Sequence, residues 1–227
     1  MNATTPEQKD LIALVADIQQ EKTLATLLDL RCESLHIRKP TFEIFRHAEH
    51  DPGVYNKAGD FLNVFVNQFR YALVMLDAAW EGSPASASVI AKKIQTDLNS
   101  KGWQNRSEVI VFDPELEIWV WADSPHVPRA LGTNCEVIRV LARERAYWHA
   151  EASKPHQPKE LLKDILEQTN KRRSSALFEQ LAKSVGLERC QDAAFLQLRQ
   201  TLQSWFPLEY AASSANQRVL RERRKTR

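Results

Sequence analysis

Four short apolar runs mark the first half of the chain, each closed by a polar or turn-forming break. "LIALVA" (11–16) is wholly apolar, the mark of a strand buried on both faces. In "TFEIFRH" (41–47), Thr41, Glu43 and Phe45 alternate with Phe42, Ile44 and Arg46. "YALVMLDAAWEGSP" (71–84) opens on the run Ala72 to Leu76, stops on Asp77 and breaks at Gly82 and Pro84. "EVIVF" (108–112) is the fourth run. Helical periods lie between them. Leu24, Leu27 and Leu28 share one face of "QQEKTLATLLDL". Phe61, Phe65 and Phe69 recur at four-residue spacing, predicting a helix that starts at Gly59 or Asp60 after the break "HDPG". Ile90, Ile94 and Leu98 mark another helix, with Gly102 as its C′ residue. The alternation predicts an α/β fold: a mainly parallel four-stranded sheet with right-handed crossovers and helices on both faces.

Beyond Pro128 no further strand-like run occurs. "NCEVIRVLARERAYW" (134–148) reads as helical and "EASKPHQPKE" as a polar, proline-bearing linker. "KELLKDILEQ", "SALFEQLAKSVG" and "AAFLQLRQTLQSWF" carry apolar residues at three- and four-residue spacing. The division expected is an α/β domain over 1–130, a helical appendage over 131–210 and a basic tail over 211–227. Whether the appendage packs on the sheet is left open. "FDPELEIWVWAD" reads as a helix start with Asp113 at the N-cap, Pro114 at N1, and Glu115 and Glu117 in the first turn. Leu116, Trp119 and Val120 then share a face, so Trp119 is expected to be buried and Glu115 exposed toward the sheet edge.

Hydrophobic residues make up 43% of the 227 and charged residues 26%, the balance of a soluble globular chain. The net charge of +2 demands no nucleic-acid partner, although the tail "RVLRERRKTR" is strongly basic. Such a tail is commonly solvated, and less commonly an arm for nucleic acid. Cys32, Cys135 and Cys190 are far apart and odd in number, against a zinc or disulfide framework. Neither a signal peptide nor a bilayer-length apolar run is evident, so a cytoplasmic protein without membrane contact is expected. No GxxxxGK[ST], GxGxxG or GxSxG motif is present.

Three of the runs end on an acid: Asp17, Asp77 and Asp113. A parallel sheet brings these strand ends to one edge, where clustered carboxylates repel unless a hard cation such as Mg²⁺ lies among them. Each acid alone is more simply a cap. Asp17 and Asp77 are expected to face each other across neighbouring strands. His47, Glu49, His50 and Asp51 form a second polar cluster, on a loop, which suits either a transition metal or ordinary surface polarity.

In this order of parts the chain resembles the Toprim fold of topoisomerases, primases and old-family nucleases. It also resembles small Toprim-like proteins of bacterial methylation-associated defence systems. The stretches that carry the resemblance are "LVAD" (14–17), "HAEHDPG" (47–53), "DPELEIWVWADSPH" (113–126), "RSSALFEQLAKSVGLERC" (173–190) and "FLQLRQTLQSWFP" (195–207). It implies an antiviral role in the cytoplasm. The chain departs from the family in two places. Its first acid is Asp17 where Toprim enzymes generally use glutamate, which pulls the ligand back by about one carbon–carbon bond. The second member of the later acidic pair is Ala79, which cannot ligate, leaving Glu81 on the same loop as a substitute.

Two functions follow. In the first, Asp17, Asp77 and Glu81 bind Mg²⁺, Glu115 or Glu117 serves as an outer acid, and Asp17, Asp77, Glu115 and Glu117 form the catalytic set of a nuclease acting on invading DNA. In the second, the sheet is a scaffold and the helical appendage docks other proteins of the same defence system.

Overall fold

A computed structural model describes residues 8–208 apart from 85 and 189. The four apolar runs become β1 (Lys9–Val15), β2 (Phe42–Arg46), β3 (Phe69–Asp77) and β4 (Ser107–Phe112). They form one sheet, parallel throughout, in the order β2-β1-β3-β4. Leu14 sits between Phe45 on one side and Val74 on the other, which fixes the register of the three strands. β2 and β4 are the edge strands; β2 stays half-buried and its sequence alternates, whereas β4 is buried from Val109 to Phe112 and runs apolar there.

Successive residues of β1, β3 and β4 feed two separate cores. Leu11, Ala13, Val15, Leu73, Met75, Ile110 and Phe112 point to one face. Ile12, Leu14, Ala72, Val74, Leu76, Val109 and Val111 point to the other. Both sets need a helical cover. On the second face it is α3 (His50–Asn63) and α4 (Ala87–Leu98), together with the fully buried Trp103, whose indole donates to Leu62 O at 3.2 Å. Gly102 turns the chain into Trp103 with φ +89°, a conformation that favours glycine.

α3 begins at His50, well before the expected start at Gly59 or Asp60. "HDPG" is a helix start, not a break. Pro52 lies in the first turn, where its missing N–H leaves no bond unmade. Gly53 is closely packed: a Cβ there falls 2.0 Å from His47 Nδ1, so the His47 ring would have to move. The Phe61, Phe65 and Phe69 spacing records a different geometry: Phe61 lies in the last turn of the helix, Phe65 is in the following turn and Phe69 opens β3.

On the first face α1 (Ile18–Leu30) is followed by the single turn α2 (Cys32–Leu35). The rest of that layer comes from the C-terminal half, through α5 (His126–Leu131), α6 (Cys135–Glu144), α7 (Pro158–Gln168), α8 (Ser175–Ser184) and α9 (Ala193–Trp205). α8 packs on α1 and α9 on β4, so Phe178, Phe195, Leu198 and Leu202 join Leu73, Met75 and Phe112 in one apolar cluster. Arg31, at the end of α1, donates to the carbonyls of Ala182, Lys183 and Val185 at 2.7, 2.9 and 3.1 Å. Trp205 stacks on Tyr71 at 4.6 Å. The helical appendage therefore packs on the sheet. The basic tail over 211–227 lies outside the described residues.

The chain leaves β1 for β2 on one side, and β3 enters on the other side of β1. α1 covers one face while α3 and α4 cover the opposite one, so the connections after β1 and β3 diverge. Open α/β sheets form their ligand crevice at such a switch point, outside the carboxyl ends of the strands.

Candidate metal centre

Asp17 and Asp77 stand on either side of this switch point. Asp17 caps α1, its Oδ1 accepting the amide of Gln20 at 2.8 Å. Gln20 is fully buried. Its Oε1 accepts from Ala16 N at 2.9 Å and its Nε2 donates to Asp77 Oδ1 at 3.0 Å. Asp77 Oδ1 also accepts from Leu116 N at 3.1 Å, and the amide of Asp77 donates to Asp51 Oδ1 at 2.8 Å. Asp51 lies in the first turn of α3.

After β4 the chain passes a cis Asp113–Pro114 bond and enters a 3₁₀ turn, Leu116–Trp119. Here the expected helix start is replaced. Asp113 is exposed and caps nothing, and Glu115 occupies the cap position. Pro114 O accepts from the amides of Ala78 and Ala79 at 3.0 and 2.9 Å, which ties the turn to the end of β3. The expected burial is reversed as well. Glu115 is 6% exposed and Glu117 1%, whereas Trp119 is only half-buried. A three-residue turn does not keep the face assignments of a 3.6-residue helix. The Trp119 ring instead lies edge-on to Phe112 and Phe195 at 4.7 and 5.2 Å, and its indole donates to Asp192 at 2.8 Å.

This turn delivers two acids to Asp77. Carboxylate oxygens of Asp77, Glu115 and Glu117 lie within 4.8 Å of one another, and the three can hold a metal ion. Asp17 stands next to this group, linked through Gln20, and is not one of the three. Glu81 is exposed on the loop after Asp77 and is also outside the group. Ala79 serves as a backbone link to Pro114. In the histidine cluster, His47 Nδ1 accepts from Glu49 N at 3.1 Å and His50 Nδ1 faces Ala16 O at 3.2 Å. Only Asp51 of that stretch joins the acids.

The electrostatics are those of crowded anions. Burial, then the charges of Asp51, Glu117 and Asp17, pushes the Asp77 carboxyl well above the ordinary carboxylate range, and the Leu116 amide only partly offsets them. Burial also raises Asp51, with Asp17 adding to it. Glu115 is raised by burial and by Glu117, against the pull of Lys159. Two cations from the C-terminal helical layer face the acids. Lys159 Nζ lies 3.1 Å from Glu115, and Arg173 meets Glu117 at 2.5 Å. Five acids against two cations leave negative charge that a proton or a bound cation must relieve. Oxygen donors alone suit a hard cation.

Sequence reasoning missed Gln20, Lys159 and Arg173 as parts of this centre, and it placed Asp51 in a loop. A signal for Asp51 existed in "HDPG" taken as a helix start. Lys159 and Arg173 carry none, because their partners lie 44 and 56 positions away in the chain. The chain matches no family model, no curated protein and no solved structure with which it was compared.

Proposed function

We propose that the chain is a Mg²⁺-dependent, Toprim-like phosphodiesterase acting on invading DNA as part of a bacterial antiviral defence system. The observation that carries this reading is the approach of Asp77, Glu115 and Glu117 oxygens to within 4.8 Å at the switch point of a parallel sheet, amid uncompensated negative charge. The strand order β2-β1-β3-β4 is consistent with a Toprim-like arrangement. Mg²⁺ held by Asp77, Glu115 and Glu117 would supply Lewis acidity toward a phosphodiester and its attacking water. The chain's own groups do the rest. Asp51 and Gln20 fix Asp77 from two sides. Lys159 and Arg173 orient Glu115 and Glu117. Asp17 adds negative charge beside the ligands and holds the start of α1.

A second reading has support from the same ion pairs. Lys159 and Arg173 partly neutralise the centre, and Ala79 adds no ligand, as in a scaffold whose helical layer docks other proteins of the defence system. The test is cleavage of labelled single- and double-stranded DNA by the purified chain in Mg²⁺ and in EDTA, alongside phage protection in cells. The enzyme reading expects Mg²⁺-dependent cleavage that Asp77→Asn abolishes together with protection. Full protection by a folded Asp77→Asn variant leaves the scaffold.

A further inference from the structure

The stretch "EASKPHQPKE" reads as a linker, yet one of its residues reaches into the protein. Lys154 Nζ donates to Ile118 O at 3.0 Å and to Trp121 O at 2.8 Å. Ile118 lies within the turn that follows Glu115 and bears Glu117, and Trp121 lies just past its end. At the end of so short a helix, carbonyls have no partner from the next turn, so an outside donor is needed. Burial pushes the Lys154 ammonium pKa down, while Cys190 and Asp192 pull the other way. An ammonium placed there costs desolvation, and two carbonyl acceptors repay part of that.

The same turn brings Glu115 and Glu117, both buried, beside Asp77, where like charges crowd one another. At its start the turn's backbone is tied to the end of β3 through Pro114 O and Leu116 N, and past its start the Trp121 indole donates to Pro158 O at 3.0 Å and that of Trp119 to Asp192. Lys154 grips the backbone itself, at two points three residues apart.

We infer that Lys154 is a positioning residue of the acidic centre, holding the turn Leu116–Trp119 at Ile118 O and, just past its end, at Trp121 O so that Glu115 and Glu117 stay within ligand distance of Asp77. Its consequence for metal affinity rests on the metal-binding reading above. It also makes the C-terminal layer part of the site, since loosening the 154 segment loosens two ligands.

The experiment uses the full chain, with Lys154→Met removing the grip and Lys154→Arg as the conservative variant. Mn²⁺ affinity is read by paramagnetic resonance. Backbone amide exchange of Ile118 and Val120 is read in EDTA, with Ile12 and Val74 as sheet controls. The expected results are Mn²⁺ binding weakened about tenfold or more in Lys154→Met, the scale of lost outer-shell support, and restored in large part by Lys154→Arg. Exchange at Ile118 and Val120 should rise several-fold while the controls hold. Unchanged Mn²⁺ affinity in Lys154→Met overturns the inference, whatever its melting temperature. Absence of Mn²⁺ binding by the wild type defeats the metal reading instead, and the exchange arm then decides alone, with equal rates at Ile118 and Val120 counting against Lys154. Lys154→Gln, too short to reach both carbonyls, takes the same measurements where Lys154→Met does not fold.

Discussion

The Gln20 side chain joins the ends of β1 and β3, lying 3.0 Å from Asp77 Oδ1 through its nitrogen and 2.9 Å from Ala16 N through its oxygen. It is fully buried, so neither bond can be replaced by water without opening the switch point. Replacing it by alanine orphans a buried amide and leaves a cavity. Gln20→Ala should cost about 2–4 kcal/mol, measured by urea unfolding in EDTA. A loss within experimental error of zero would mean that the bridge does not hold these strand ends.

Asp77→Asn removes charge while keeping an oxygen acceptor for Gln20 and Leu116. The raised pKa of Asp77 sets the sign. Below its unfolded value of 3.8 the acid is protonated in both states and imposes no penalty. As pH rises through the higher folded value, the folded state must ionise a crowded acid and loses stability. In EDTA the variant should therefore melt above the wild type at pH 8, and the gap should close as pH falls toward 4. A variant that melts lower at pH 8 contradicts this.

The opposite end of the sheet carries an acid of the opposite kind. Asp10 takes two bonds from Arg38, at 2.6 and 2.9 Å, and accepts from the Thr41 amide at 2.9 Å. The Arg38 bonds first, and the Thr41 amide with them, hold its carboxyl down at about 2 against the effect of burial. Its contribution is present above pH 3.8 and is lost as pH falls through about 2. Asp10→Asn should cost on the order of 1–2 kcal/mol at pH 7, discounted for the part-exposed Arg38, with the difference shrinking between pH 4 and 2. Paired urea curves at pH 7 and pH 2.5 check it.

Trp119 is half-buried, so its truncation should cost less than a full core deletion. Trp119→Ala should lose about 2–4 kcal/mol. Trp119→Phe keeps the contacts with Phe112 and Phe195 and loses the Asp192 bond, for about 1 kcal/mol. Equal losses in the two variants would place all of the effect on that bond.

The sheet was legible because burial on both faces forces continuous apolar runs, and Leu11 to Ala16 or Ala72 to Leu76 can hardly be anything else in an alternating chain. α3 was not, because proline and glycine carry opposite meanings at a helix start and in a break. In the fold Pro52 falls in the first turn of α3 and Gly53 packs closely against His47, contacts that the local sequence does not show. Asp77 was legible as a strand-end acid. Its companions were misplaced because a 3₁₀ turn and an α-helix share a sequence pattern, and the choice here rests on packing between β3 and the C-terminal layer. The partners Lys159 and Arg173, and the grip of Lys154, are tertiary contacts with no local signature.

Mn²⁺ titration of the full chain, followed by paramagnetic resonance, tests most directly whether Asp77, Glu115 and Glu117 hold a divalent cation. The expected result is saturable binding at one class of site, displaced by Mg²⁺ and weakened about tenfold or more in Asp77→Asn, which should remain folded. No binding at millimolar Mn²⁺, or equal binding by wild type and Asp77→Asn, would contradict it.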